Sequence, residues 1–75
     1  MTFKEYIKVN DIEKDVVKID CSYSSLTDLN GIEMFTDLKV LYCDDNSLTQ
    51  LPNLDKMVNL THLYCHDNVL TELQI

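Results

Sequence analysis

The most reactive side chains in this sequence are three thiols and two imidazoles. Cys21, Cys43 and Cys65 each stand 22 residues after the last, and His62 and His66 flank the third. Clustered thiolates and imidazoles would hold zinc, and paired thiols would form a disulfide. The spacing argues against both. An odd number of cysteines at equal intervals marks one position recurring in successive repeats, not a close-spaced pair of ligands. In an extended segment neighbouring residues point to opposite sides, so Cys65 faces inward while His66 faces out. His62 and His66 stand roughly 13 Å apart along a strand, too far to chelate one ion. The thiols are therefore expected to be buried, reduced members of the core, with no metal and no cofactor. The imidazoles read as solvated groups with ordinary titration, a pH-sensitive contact being the lesser alternative.

Carboxylates offer no better case for catalysis. Asp44-Asp45 and Asp67-Asn68 read as solvated turn residues, the other acids are spread around every face, and there is one glycine in the whole chain. With no phosphate-cradling loop and no nucleophile motif, no catalytic residue is assigned and no enzyme activity is expected. Thirteen acidic residues face six lysines and no arginine, for a formal charge of −7. That balance disfavours a phosphate-tracking surface, so nucleic acid is not an expected partner. The apolar runs are short and Met1 to Glu5 lacks a secretory core, so no membrane span is expected and the cytoplasm is the default compartment. Seventy-five residues make one small domain. Such a domain buries only about 60% of its unfolded surface and has no room for a deep substrate cleft.

The elements that would position these residues come from the repeat. In residues 38–59 the inward positions are Leu38, Leu41, Cys43, Asn46, Leu48, Leu51, Leu54 and Met57, with spacings of 3, 2, 3, 2, 3, 3 and 3. Val16, Ile19, Cys21, Ser24, Leu26, Leu29, Ile32 and Phe35 fill the same places in residues 16–37, and a truncated third repeat runs over 60–75. Neither a helix nor a simple strand has this period. The step of two is strand-like, and the later steps of three suit tight 3₁₀-like turns that bring the chain back behind the strand. Stacked repeats then place their strands side by side in parallel. Asn46 and Asn68 fall where strands end, and an inward amide there satisfies backbone groups that the bend removes from the ladder; Ser24 does this less well. Gly31 and Asn53 occupy equivalent back positions and are the residue types that most readily turn left-handed. Residues 1–15 stand outside the repeat. Thr2 and Glu5 form a capping box ahead of Phe3, Tyr6 and Ile7 on one helical face, which predicts a helix over Phe3 to Val9 that covers the apolar end of the stack.

Leu38 to Leu54 reads as LxxLxCxxNxLTxLPxL, and Leu60 to Leu73 as LTHLYCHDNVLTEL. These motifs resemble the leucine-rich repeat family. The 22-residue length and the phrase Leu26-Thr27-Asp28-Leu29-Asn30-Gly31-Ile32-Glu33 look most like the internalin-type and related short intracellular subclasses. The resemblance implies an α/β solenoid, a right-handed superhelix of about three parallel strands with 3₁₀-like back segments and an N-terminal helical cap. It also implies a protein-interaction module whose concave strand face binds a protein partner. On that face the expected partner-binding residues are Asp20, Val40, Tyr42, Asp44, His62, Tyr64 and His66, with Tyr23, Asp45 and Asp67 on the rim. Tyr42 and Tyr64 would stack on each other across strands, which is compatible with either a structural or an interface role. The family's C-terminal cap is missing from the sequence. The alternative function is therefore a structural, oligomerising piece: Leu60, Leu63, Leu70, Leu73 and Ile75 would present an open apolar end, and a homodimer through that end is expected.

Overall fold

A computed structural model describes residues 1–52 and 54–69. Among the described residues one α-helix, α1, spans Phe3–Val9 and is followed by three short strands, β1 over Lys18–Asp20, β2 over Val40–Tyr42 and β3 over His62–Tyr64. A 3₁₀ helix at Ile32–Met34 lies between β1 and β2. The strands form one parallel sheet in the order β1-β2-β3. Its register pairs Lys18 with Val40 and His62, Ile19 with Leu41 and Leu63, and Asp20 with Tyr42 and Tyr64. The sequence period of 22 residues is thus the register of the sheet.

Capping begins α1 as the sequence predicts. The Thr2 hydroxyl accepts from the Glu5 amide at 3.2 Å and the Glu5 carboxylate accepts from the Thr2 amide at 3.0 Å. The helix ends at Asn10, and Asp11 follows in the left-handed region at φ 52°. Phe3, the buried residue of α1, meets Phe35 edge to face at 5.9 Å, and the Tyr6 hydroxyl donates to the Asp20 carbonyl at 2.7 Å. These contacts join α1 to the segment that carries β1.

One core runs the length of the sheet. Ile19, Cys21, Leu26, Leu29, Ile32 and Phe35 are buried from residues 16–37, and Leu38, Leu41, Cys43, Leu48, Leu51 and Met57 from residues 38–59. Val16 and Leu54 pack on it while keeping some exposure. The steps of three have a direct cause. The amides of Ile32, Phe35 and Leu38 donate to the carbonyls of Leu29, Ile32 and Phe35, and those of Met57 and Leu60 to Leu54 and Met57. At three residues per turn, side chains three apart eclipse, so one inward residue follows another along the back of the fold. In the first repeat these bonds make a 3₁₀ helix; in the second, among the described residues, they remain separate turns. Gly31 begins the 3₁₀ helix at φ 100°, in the left-handed region expected of it, while Asn53 lies outside the described residues.

The bend after each strand is closed by an asparagine amide. Asn46, 8% exposed, accepts from the Ser24 and Leu26 amides at 3.0 and 2.9 Å. Its Nδ2 lies 3.1, 3.0 and 3.2 Å from the carbonyls of Cys21, Cys43 and Asp44. Asn68 repeats the arrangement, accepting from the Leu48 amide at 3.1 Å and donating to Cys43, Cys65 and His66. Each asparagine therefore serves the preceding bend as well as its own. Ser24 takes this place after β1, which has no strand before it, and its hydroxyl donates to the nearby Ser22 carbonyl at 3.2 Å.

Removing the Asn46 amide leaves the buried Leu26 amide and the part-buried Ser24 amide without an acceptor, each costing up to about 1–3 kcal/mol. Asn46→Ala should therefore lose about 3 kcal/mol or more, a large share of what a domain of this size has. Ser24→Ala should lose less than about 1 kcal/mol. Urea midpoints of the two variants against the parent decide it; equal shifts would contradict the bridging role of Asn46.

Candidate functional site

Seven residues expected to bind a partner project from or just beyond the strands. Along β1, β2 and β3 the inward residues are Ile19, Leu41 and Leu63, so Lys18 and Asp20, Val40 and Tyr42, and His62 and Tyr64 lie on the opposite, outer face. Asp20 and His62 are exposed, and Val40, Tyr42 and Tyr64 are half-buried by their neighbours. Tyr42 and Tyr64 stack with centroids 4.6 Å apart and planes 7° from parallel. His62 extends the stack along β3, 6.3 Å from Tyr64, while its Nδ1 lies 2.9 Å from the Thr61 hydroxyl. At the other end the Lys18 ammonium sits 5.3 Å over the Tyr42 ring. Parallel register forces this row, since two aromatic residues 22 apart must be cross-strand neighbours. Lys18 is not among the residues the sequence marks for partner binding, and its diagonal reach to Tyr42 is the missed contribution.

Asp44 and His66 lie beyond the strand ends and do a different job. The His66 amide donates to the Asp44 carboxylate at 2.6 Å, and the Asp44 amide donates to the Ser22 hydroxyl at 3.1 Å. Asp20 closes its own turn, accepting from the Ser22 amide at 3.2 Å. These carboxylates hold the bends together and still border the aromatic row. Next to them Tyr23, Asp45 and Asp67 share φ values of 56°, 54° and 56°. Aspartate tolerates that left-handed geometry and tyrosine has no such excuse. The Tyr23 amide donates to the Asp44 carbonyl at 3.0 Å, and the neighbouring Asp45 carboxylate, with the charges of Asp44 and Asp67, raises its phenol above the ordinary value. Sequence reasoning placed these three on the rim without seeing their strain, although two aspartates at equivalent positions carried the signal.

The thiols lie behind the sheet, on the core side. Cys21 and Cys43 are fully buried, and Cys65 is half-buried. Each buried sulfur lies close to the next strand, Cys21 Sγ 3.3 Å from the Tyr42 carbonyl and Cys43 Sγ 3.2 Å from that of Tyr64. Loss of hydration pushes Cys21 up to about 12, helped by the charge of Asp20. The same loss, with the neighbouring thiols and Asp44, pushes Cys43 up to about 12. A thiol that keeps its proton is neither nucleophile nor metal ligand at neutral pH.

Two outcomes follow from the thiols. At neutral pH Cys65 should react with a maleimide at least ~100-fold faster than Cys21 or Cys43, which label only through opening of the fold; peptide mapping of a time course would show it, and equal rates would refute it. Alkaline pH should also weaken the fold. Below roughly 8.5 both states keep their protons, but between that value and the folded pKa only the unfolded chain loses them, so stability falls as pH rises. Parent and Cys43→Ala urea midpoints should therefore converge between pH 8 and 10.5.

Residues 36–75 match the family model described as Leucine Rich repeats (2 copies). No match is found among the curated proteins or the solved structures. The matched stretch is more than half of the chain and contains β2, β3, both inward asparagines and the tyrosine pair. With its period equal to the sheet register, the chain belongs to the leucine-rich repeat family.

Proposed function

We propose that the outer face of the sheet docks a protein partner, with Tyr42 and Tyr64 at the centre and Asp20, Val40, Asp44, His62 and His66 around them. Leucine-rich repeats generally mediate protein–protein interaction. The observation that carries the reading is the preassembled row of Lys18, Tyr42, Tyr64 and His62. Side chains already stacked lose little rotamer entropy on binding, and tyrosine is over-represented at binding hot spots. The same reading takes the chain as a right-handed solenoid resembling the internalin-type and related short intracellular subclasses. It divides the chain into a helical cap over 1–15 and repeats over 16–37, 38–59 and 60–75. It works in the cytoplasm on a protein, with nucleic acid disfavoured by the charge of −7. Contacts of α1 with Phe35 and Asp20 support the cap.

A second reading is favoured by the third repeat. Leu60, Leu63 and Cys65 keep some exposure where their equivalents Leu38, Leu41 and Cys43 are 0% exposed. In this reading the uncovered end pairs with a second copy; Leu70, Leu73 and Ile75, part of the expected contact, lie outside the described residues.

Crosslinked capture from the native cell, comparing the parent with Tyr42→Ala/Tyr64→Ala, tests the first reading. The double variant should lose the captured partner at least ~10-fold, worth about 1.4 kcal/mol, while Val58→Ala, altered at a site 81% exposed, should keep it. Retention by the double variant would end the proposal. Sedimentation of the purified chain at tens of micromolar tests the second reading: a dimer supports it, and a stable monomer rejects it.

A further inference from the structure

On the side of the molecule carrying α1 there is a small apolar cleft, apart from the aromatic row. Its volume is about 170 Å³. Phe3 and Phe35 contribute to the lining from the core, Ile7 and Ile12 from α1 and the loop after it, and Met34 from the 3₁₀ helix. Met34 is 52% exposed although it stands between inward-facing residues. Two lysines complete the lining, Lys4 and Lys14, and no carboxylate lines it. This is a local inversion of the charge of the chain, which has six lysines against thirteen acids. Gly31 also borders the cleft, and the position its Cβ would take lies 3.7 Å from Lys4 Cγ and Cε, so the apolar stem of Lys4 lies over this glycine.

We infer that this cleft binds a partner segment presenting one large apolar side chain flanked by carboxylates, the apolar group seated among Phe3, Ile7, Ile12 and Met34 and the acids meeting Lys4 and Lys14. Size and charge together select that occupant. A space of this volume takes a single leucine- or phenylalanine-sized side chain, and methionine adapts its shape to such a guest. Lysine stems cover apolar surface while their ammonium groups stay in water, where they pair with carboxylates at the rim. A basic segment would meet two like charges there and be drawn instead to the acidic remainder of the surface. The site is independent of the sheet-face proposal.

The test is an amide NMR titration of the full chain with a short synthetic peptide having Asp-Phe-Asp at its centre. A second peptide replaces both aspartates by lysine. The acidic peptide should give saturable shifts at Ile7, Ile12 and Gly31 and bind at least ~10-fold more tightly than the lysine version. Lys4→Glu/Lys14→Glu should lose that binding at least ~10-fold, while Lys39→Glu/Lys56→Glu, of the same net charge, should keep it. Tyr42→Ala should leave it unchanged, which separates failure here from failure of the sheet-face reading. Absence of saturable shifts, equal binding of the two peptides, or shifts centred on Tyr42 and Tyr64 would each overturn the inference. Concentration-dependent shifts at the cleft in the protein alone would assign it to a second copy and also overturn it.

Discussion

Strands of three residues make a short ladder, and the buried amide of Asn46 adds to it at the bends, where backbone groups leave that ladder. The amide satisfies donors in the bend after β1 and carbonyls after both β1 and β2, so two turns of the chain are tied at one side chain. Asn68 does the same one register further on. Every other regularity needs those bends to be identical. The strand positions, the eclipsed back turns and the stacking of Tyr42 on Tyr64 all follow once successive bends are superposed at 22 residues.

The cysteines show how the same geometry sets chemistry. A position between sheet and back segment strips water from the sulfur, while the next strand offers it a carbonyl. Burial and a proton-accepting neighbour both favour the neutral thiol. Cysteine here is a small apolar residue that can also give a weak hydrogen bond, which suits a narrow core where a larger side chain would push strands apart. Cys65 follows β3, which among the described residues has β2 on one side and no element on the other, whereas the other edge strand, β1, has α1 beside it, with the Tyr6 hydroxyl on the Asp20 carbonyl.

The surface divides by charge and by rigidity. On the outer face, aromatic rings are stacked and fixed, with carboxylates tied into the bends beside them. On the side of α1, an apolar cleft carries lysines and no acid. Within a chain of net charge −7, the outer face and the cleft beside α1 thus differ in chemistry.

Much of this fold was legible in the sequence because repetition multiplies weak signals. Leu41 alone says little, but Ile19, Leu41 and Leu63 at one interval fix a strand position, and Thr2 with Glu5 marks the start of α1 because the capping bonds are local. The outer face could be named for the same reason, since alternation assigns Tyr42 and Tyr64 to one side. What repetition could not supply was contact between different periods. The reach of Lys18 to the Tyr42 ring is diagonal, the left-handed Tyr23 places its amide on the Asp44 carbonyl of the next bend, and the lysine-edged cleft joins α1 to the 3₁₀ helix. Each depends on side-chain directions and on how a non-repeating helix docks against a repeat. Period and local capping therefore determined the elements and their register from sequence alone. Only tertiary packing decided which side chains meet across them, because those distances exist only after the chain has closed on itself.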